Sequence, residues 1–371
     1  MALGKVQVNN LNLMQGPITE IERYFLFIGQ GTGTNNGKLL TVNTATDFDE
    51  VLGEADSTLK TQLGAALANA GQNWSAAVFV LDGVITWSEA VDYAMEQTSV
   101  EAVVVTDPVA AAADLETMQA KAETIMAQYM RPIFFMAATR TIDAGTEDWT
   151  AFVAAIKPLT DGIAADKVMV VPTLWGHDQG TLAGRLCDRS VTVADSPMRV
   201  ATGALVGVWS VKPTDVNDRE IDMAILEDLD RERFSVPQWY PDYDGMYWGD
   251  GNLLDVNGGD YQAIENLRVV QKAMRRIYPL AVARVADRRL NSTPASMEMN
   301  RLYFMRPLFE MCKCVEINGN VFPGEIEPPK DGDLVISWPS KYAVEIYLTV
   351  RPYNCPKSIT ANIMLDLTNY A

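Results

Sequence analysis

Between residues 23 and about 210 the chain alternates short apolar runs with amphipathic stretches of helical length. No other feature restricts its fold so strongly. The runs cover residues 24–28, 76–81, 101–106, 132–137, 167–171 and 191–194, and they are dominated by Val, Ile, Phe, Met and Ala. Residues 58–70, 88–97, 115–129, 148–159 and 179–189 read as the helices between them. Strands that are apolar throughout and joined through helices belong to a mostly parallel sheet covered on both faces. Two helix starts are marked by caps, Asp47 before Phe48-Asp49-Glu50 and Thr146 before Glu147-Asp148. Residues 21–210 are therefore expected to form an α/β domain.

Beyond residue 210 the pattern changes. Acidic residues crowd residues 218–232, and the aromatic stretch Trp239-Tyr240-Pro241-Asp242-Tyr243-Asp244-Gly245-Met246-Tyr247-Trp248 follows, so 211–260 reads as a connecting segment with turns. A helix is expected over 261–278, with Ile264, Leu267, Val270, Met274 and Ile277 along one stripe and Pro279 set to kink or interrupt it. A second helix near 296–310 precedes terminal β structure, which makes 261–356 a C-terminal α+β domain.

Both ends carry strand-like segments. Val344, Ile346, Leu348 and Val350 share one face, opposite Glu345, Tyr347 and Thr349. After a turn bracketed by Pro352 and Pro356, Ile359, Ala361, Ile363, Leu365 and Leu367 repeat the period of two. Near the start, two short stretches, with Val6 and Val8 in one and Leu11 and Leu13 in the other, begin strand-like before Gly16-Pro17. Residues 1–20 and 357–371 thus read as extended arms. Such segments either pair within their own domain or join the sheet of a neighbour by strand addition.

Composition excludes several classes. The 371 residues are 48% hydrophobic and 21% charged, as in an ordinary folded protein large enough for two domains. No apolar run approaches the roughly twenty residues of a membrane span. The opening MALGKVQVNN lacks a signal peptide's apolar core, so synthesis and folding in a cytoplasm are expected. Cys187, Cys312, Cys314 and Cys355 make no disulfide framework, and Cys312-Lys-Cys314 lacks the spacing of a zinc pair. A formal net charge of −18 argues against nucleic-acid binding. The charge is uneven, however. Residues 263–306 hold Arg268, Lys272, Arg275, Arg276, Arg284, Arg288, Arg289, Arg301 and Arg306 against Glu265, Asp287 and Glu298. This strip is either a solvated helix face or a contact for an acidic partner, a neighbouring copy included.

Catalytic motifs are scarce. The loop Gly29-Gln30-Gly31-Thr32-Gly33 follows a strand but has neither dinucleotide nor phosphate-loop spacing, and Leu39 stands where a Ser or Thr would hold magnesium. It is expected to be a flexible loop. The single histidine, His177, has no GxSxG elbow or evident nucleophile to serve. Asp107 and Asp195 end apolar runs, where α/β enzymes place carboxylates, yet they also fit turns and caps. No cofactor is expected.

Taken together, the residues resemble the contractile tail sheath proteins of bacteriophages and phage-tail-like particles. The resemblance rests on the order of Asp47-Phe48, Val51-Leu52-Gly53, Ser57-Thr58-Leu59 and the strand at 77–81. It continues through Lys167-Val168-Met169-Val170-Val171-Pro172, Asp195-Ser196-Pro197 and Tyr247-Trp248-Gly249 to Asn266-Leu267-Arg268-Val269-Val270. It closes on Leu348-Thr349-Val350-Arg351-Pro352 and residues 359–367, similar to the family's terminal hairpin and arm. Asp250-Gly251-Asn252 departs from the family pattern after Trp248-Gly249.

The resemblance implies a subtilisin-like middle domain without subtilisin's chemistry, and arms exchanged between copies. It also implies a helical homopolymer around an inner tail tube protein, with a baseplate and a tail terminator as further partners. Such a sheath contracts to drive the tube through the host envelope, belongs to the virion tail, is assembled in the host bacterial cytoplasm, and neither binds nucleic acid nor enters a membrane. The basic run from Arg268 to Arg289 is then the candidate surface for the tube or an adjacent subunit. Two alternatives stand beside this one: an α/β enzyme of unknown substrate, and another strand-exchanging virion protein such as a terminator.

Overall fold

A computed structural model describes residues 21–364. Its centre is a six-stranded sheet. Strand β1 (Phe25–Gln30) is followed by β2 (Lys38–Asn43), α1 (Phe48–Leu52), α2 (Thr58–Asn69), β3 (Ser75–Leu81), α3 (Trp87–Gln97) and β4 (Ala102–Pro108). Helix α4 (Ala112–Tyr129), β5 (Phe134–Ala138), α5 (Trp149–Ile156), β6 (Val168–Val171) and α6 (Asp178–Cys187) complete it. The strand order is β2-β3-β1-β4-β5-β6, parallel throughout except for β2, which runs antiparallel to β3 at the edge.

The pleat divides the apolar runs between two cores. Leu26, Ile28, Phe79, Val103, Val105 and Phe135 face one side, under α3, α4 and α5. Phe25, Phe27, Val78, Val80, Val104, Phe134 and Met136 face the other, under α2 and α6. Helices α2 and α6 approach backbone to backbone. A methyl group on Gly180 would lie 2.0 Å from the Gln62 carbonyl oxygen, and one on Gly184 2.4 Å from that of Ala66. Gln62 is drawn into the contact: its Nε2 donates to the Gly176 carbonyl and its Oε1 accepts from the Gly180 N–H.

Several sequence expectations change here. Residues 191–194 form a turn rather than a strand, because Asp195 Oδ2 accepts from both the N–H and the hydroxyl of Thr192. The cap of α5 is Asp148, whose side chain accepts from the Ala151 N–H, not Thr146. The glycine loop after β1 is pinned rather than flexible. Thr32 donates its N–H to the Leu52 carbonyl, and a methyl group on Gly33 would meet Gly53 N at 2.9 Å. Its glycines permit this close approach to the end of α1.

The stretch 211–260 is more than a connection. It contains α7 (Met223–Arg231) and the hairpin of β7 (Pro237–Tyr240) with β8 (Tyr243–Trp248). Leu226, Leu229, Phe234 and Val236 enter the first core, and Met246, Trp248 and Leu253 the second. Then come α8 (Ile264–Val282), α9 (Pro294–Met311), the small hairpin β9 (Val315–Ile317) with β10 (Asn320–Phe322), and a hairpin of β11 (Leu334–Ser340) with β12 (Ala343–Leu348). Pro279 does not interrupt α8. It lies exposed in the last turn, where a missing N–H and a freed carbonyl are cheaply solvated.

Candidate assembly interface

The β11–β12 hairpin shows how period-two patterning is used at this end of the chain. Leu334, Ile336, Ile346 and Leu348 turn inward onto Phe304 and Met305 of α9 and onto Ile277, Leu280 and Ala281 of α8. Val335 and Tyr347 face outward, 50% and 58% exposed. Among the described residues no third strand joins either edge of this sheet. A two-stranded ribbon is marginal alone and depends on the helices beneath it.

The chain leaves the hairpin along a series of ties. The Arg351 guanidinium grips the Asp333 carboxylate at 2.5 and 2.6 Å, and the Glu327 N–H donates to the Arg351 carbonyl at 2.8 Å. The Lys357 ammonium then reaches both oxygens of Asp250, at 2.5 and 2.6 Å, and Glu265 Oε1 at 2.9 Å. After Lys357 the ties stop. Among the described residues, 358–364 form no strand and no hydrogen bond, and Ile359 and Ile363 are 84% and 96% exposed, with Ala361 exposed between them. Of the two possibilities left open for the terminal segments, pairing within the own domain is not made by residues 358–364 among the described residues, where the partner of β12 is β11. Val6, Val8, Leu11, Leu13, Leu365 and Leu367 lie outside the described residues.

The basic strip divides in two. Arg268 is 2% exposed, and its Nε and Nη2 donate to the fully buried Glu101 carboxylate at 2.7 and 3.0 Å. Arg275 donates to the Pro132 carbonyl at 2.8 Å and pairs with Glu22, while Gln271 donates to the Ile133 carbonyl at 3.2 Å. Lys272 pairs with Glu325 at 2.5 Å. This face of α8 clamps the helix against the residues that enter β1, β4 and β5. Arg268, Lys272 and Arg275 are accordingly internal rather than part of an outer surface. Burial disfavours charge on Glu101, yet the Arg268 and Arg275 charges and the hydrogen bonds hold its carboxyl below the usual range.

Arg284 is half-buried, paired with Asp287 at 2.8 Å and stacked over the Tyr303 ring at 4.1 Å. Arg276, Arg288 and Arg289 are exposed. Met274, Tyr278, Val282 and Val285 are exposed as well, an apolar stripe on and just past α8. Sequence reading found the charge but not its division, because the carboxylates that capture Arg268 and Lys272 lie far away in the chain. The roles of Asp250 and Glu265 at Lys357 were missed for the same reason.

The residues considered for catalysis are not brought together. His177 precedes α6 and lies against the Trp209 ring, centroids 4.6 Å apart, and burial lowers its pKa. The neighbouring Asp178 Oδ2 accepts from the N–H groups of Leu174, Trp175 and Gly176. Burial outweighs these bonds and pushes its pKa up to about 7. Asp195 is held by Thr192 and lies 3.6 Å from Arg199, and Asp107 is raised by burial alone. Among the described residues no group of His, Cys, Asp and Glu could hold a metal ion. No helix of the structure is long and apolar enough to cross a membrane.

Residues 3–252 match the family DUF2586, N-terminal domain, and residues 260–368 match DUF2586, C-terminal domain. Over 369 residues the chain is 48% identical to a protein of Haemophilus phage HP1 (strain HP1c1) described as "Putative tail sheath protein", covering 98% of each chain. The chain belongs to the contractile tail sheath family.

Solved structures share the sheath fold at low identity. The sheath of an extracellular contractile injection system, PVC, in its contracted state matches with a TM-score of 0.64 at 12% identity, over 99% of this chain and 98% of that one. The contracted helical sheath of the anti-feeding prophage matches with a TM-score of 0.60 at 12% identity, over 98% of each chain. The sheath tail protein of Desulfitobacterium hafniense matches with a TM-score of 0.56 at 11% identity, over 94% of this chain and 96% of that one. The 48% identity to the phage protein, not these distant structures, makes the chain a structural subunit of a tail sheath rather than an enzyme.

Proposed function

We propose that this sheath subunit polymerises by strand exchange. Residues from 358 onward add to the β11–β12 sheet of a neighbouring copy, and residues 1–20, with Val6, Val8, Leu11 and Leu13, provide the second arm. One observation carries the reading: among the described residues, an alternating apolar segment without a hydrogen bond accompanies a two-stranded sheet whose edges are open. Each backbone hydrogen bond formed in such a join contributes roughly 1 kcal/mol net. Ties to several neighbours then hold the lattice by multivalency.

The product is a helical tube around an inner tail tube, meeting a baseplate at one end and a terminator at the other. Structures related to this chain include the baseplate of the anti-feeding prophage, which supports the baseplate as a partner. The tube contracts when subunits rotate and repack while the arms keep them linked, and this drives the inner tube through the host envelope. Contraction draws on conformational free energy stored at assembly. The subunit forms in the host cytoplasm and ends in the virion tail. In this reading the body comprises an α/β part over 21–210, a segment over 211–260 and an α+β part over 261–356.

Exposed Arg276, Arg288 and Arg289 are the contact for the tube or an adjacent subunit. The test is truncation before Ile359, followed by negative-stain microscopy of the purified protein. A folded monomer that no longer forms tubes is the expected result. Tubes unaffected by the truncation would refute strand exchange through this arm.

A further inference from the structure

The arm does not leave the body where the hairpin sits. The hairpin rests on the C-terminal half of α8 through Ile277, Leu280 and Ala281. From there the chain turns back along the helix. Leu348 and Val350 pack beside Val269, Ala273 and Ile326, and Cys355 Sγ comes within 3.9 Å of the Ala194 carbonyl. Lys357 then reaches Glu265 in the first turn of α8 and Asp250 in the loop after β8. The step from Ile277 back to Glu265 is about 18 Å along the helix axis. A half-open cleft of about 550 Å³, lined in part by Asp195, Arg199, Tyr240 and Ile359, separates the arm's root from the body.

We propose that Lys357 is the positioning residue for strand donation: its clasp with Asp250 and Glu265 fixes the arm's root away from the hairpin of its own chain. With the clasp closed, the arm must spend several residues retracing α8 before it could pair with its own β12. Those residues are then lost to pairing. A neighbour's sheet imposes no such reversal. Two carboxylates on separate elements, one of them 7% exposed, hold a single ammonium, so the root has one place to sit. Among the described residues Glu265 Oε2 has no hydrogen-bond partner, which leaves Lys357 as the group that answers this buried carboxylate. The proposal rests on the strand-exchange reading and adds to it the residue that sets the direction of donation.

The test compares wild type, Lys357→Ala, Lys357→Arg and the truncation before Ile359. Thermal unfolding is measured on the monomers, hydrogen exchange is read over residues 353–358, and the concentration at which tubes appear is found by pelleting and negative stain. Expected for Lys357→Ala are a folded body, faster exchange at the root and a threshold concentration raised roughly tenfold. Lys357→Arg restores both, since its guanidinium can still bridge the two carboxylates. If Lys357→Ala assembles like wild type while the truncation abolishes tubes, the clasp has no positioning role and the proposal falls. If the truncated chain still assembles, strand exchange through this arm is wrong and the clasp fails with it.

Discussion

Glu101 and Arg268 are 167 residues apart in sequence and form a buried ion pair with two hydrogen bonds. Removing one partner of such a pair leaves the other charge buried and uncompensated, at a cost of about 3–5 kcal/mol. Arg268→Met should lower the urea-derived unfolding free energy by that amount at pH 7. The pair also sets a pH dependence. The Glu101 pKa is depressed in the folded state, so its stabilisation is complete above the ordinary glutamate range and is lost as pH falls through the lower folded value. The gap between wild type and Arg268→Met should therefore narrow below about pH 4. A gap that stays constant down to pH 3 would contradict this assignment. None of it was legible from the residues alone. Nine basic residues within 263–306 suggest a surface, whereas which of them turn inward depends on a glutamate at the entry to β4.

Elements were more legible where both faces of a strand are apolar. Strands β1, β3, β4, β5 and β6 were recognisable because burial on both sides of a parallel sheet leaves no polar interruption. Strand β2 was missed: Lys38-Leu39-Leu40-Thr41-Val42-Asn43 is a half-exposed edge after a glycine loop, with only Val42 buried. Residues 191–194 misled in the opposite direction, being apolar enough for a strand yet closed into a turn by Asp195. Glycine spacing carried a signal that was not used. Gly180 and Gly184 fall four apart on α6 and bring it against α2. Gly180→Ala should destabilise the fold by about 1–3 kcal/mol, the usual penalty for overpacking, as read from denaturant midpoints. The arm predicts the reverse pattern. Ala361→Pro removes a backbone donor at an exposed position that bonds to nothing among the described residues. Monomer stability should stay within about 0.5 kcal/mol of wild type, while tube formation is lost because proline cannot extend a ladder. Normal tubes from this variant would show that the segment does not pair at residue 361.

At the scale of the described molecule, the inner face of α8 packs against the residues that enter the central sheet, and the segment proposed to associate with a neighbour lies exposed beyond Lys357. In the proposed reading that division lets a subunit shift against its neighbours while the arms keep it tied to them. It also assigns the remaining charge. Arg276, Arg288 and Arg289 lie exposed and make no contribution to the buried clamp. Changing all three to Glu should leave the unfolding temperature within about 2 °C of wild type and abolish attachment to the inner tube or adjacent subunit, measured by co-sedimentation. Unchanged co-sedimentation would move the contact elsewhere. The central claim is that copies are joined by donated strands. The most direct measurement is a cryo-electron-microscopy reconstruction of tubes assembled from the intact chain, at a resolution that traces the backbone beyond Lys357. The account predicts residues 358–364 of one subunit hydrogen-bonded to the β11–β12 sheet of another. Tubes in which those residues pair within their own subunit, or stay unpaired in the lattice, would contradict it.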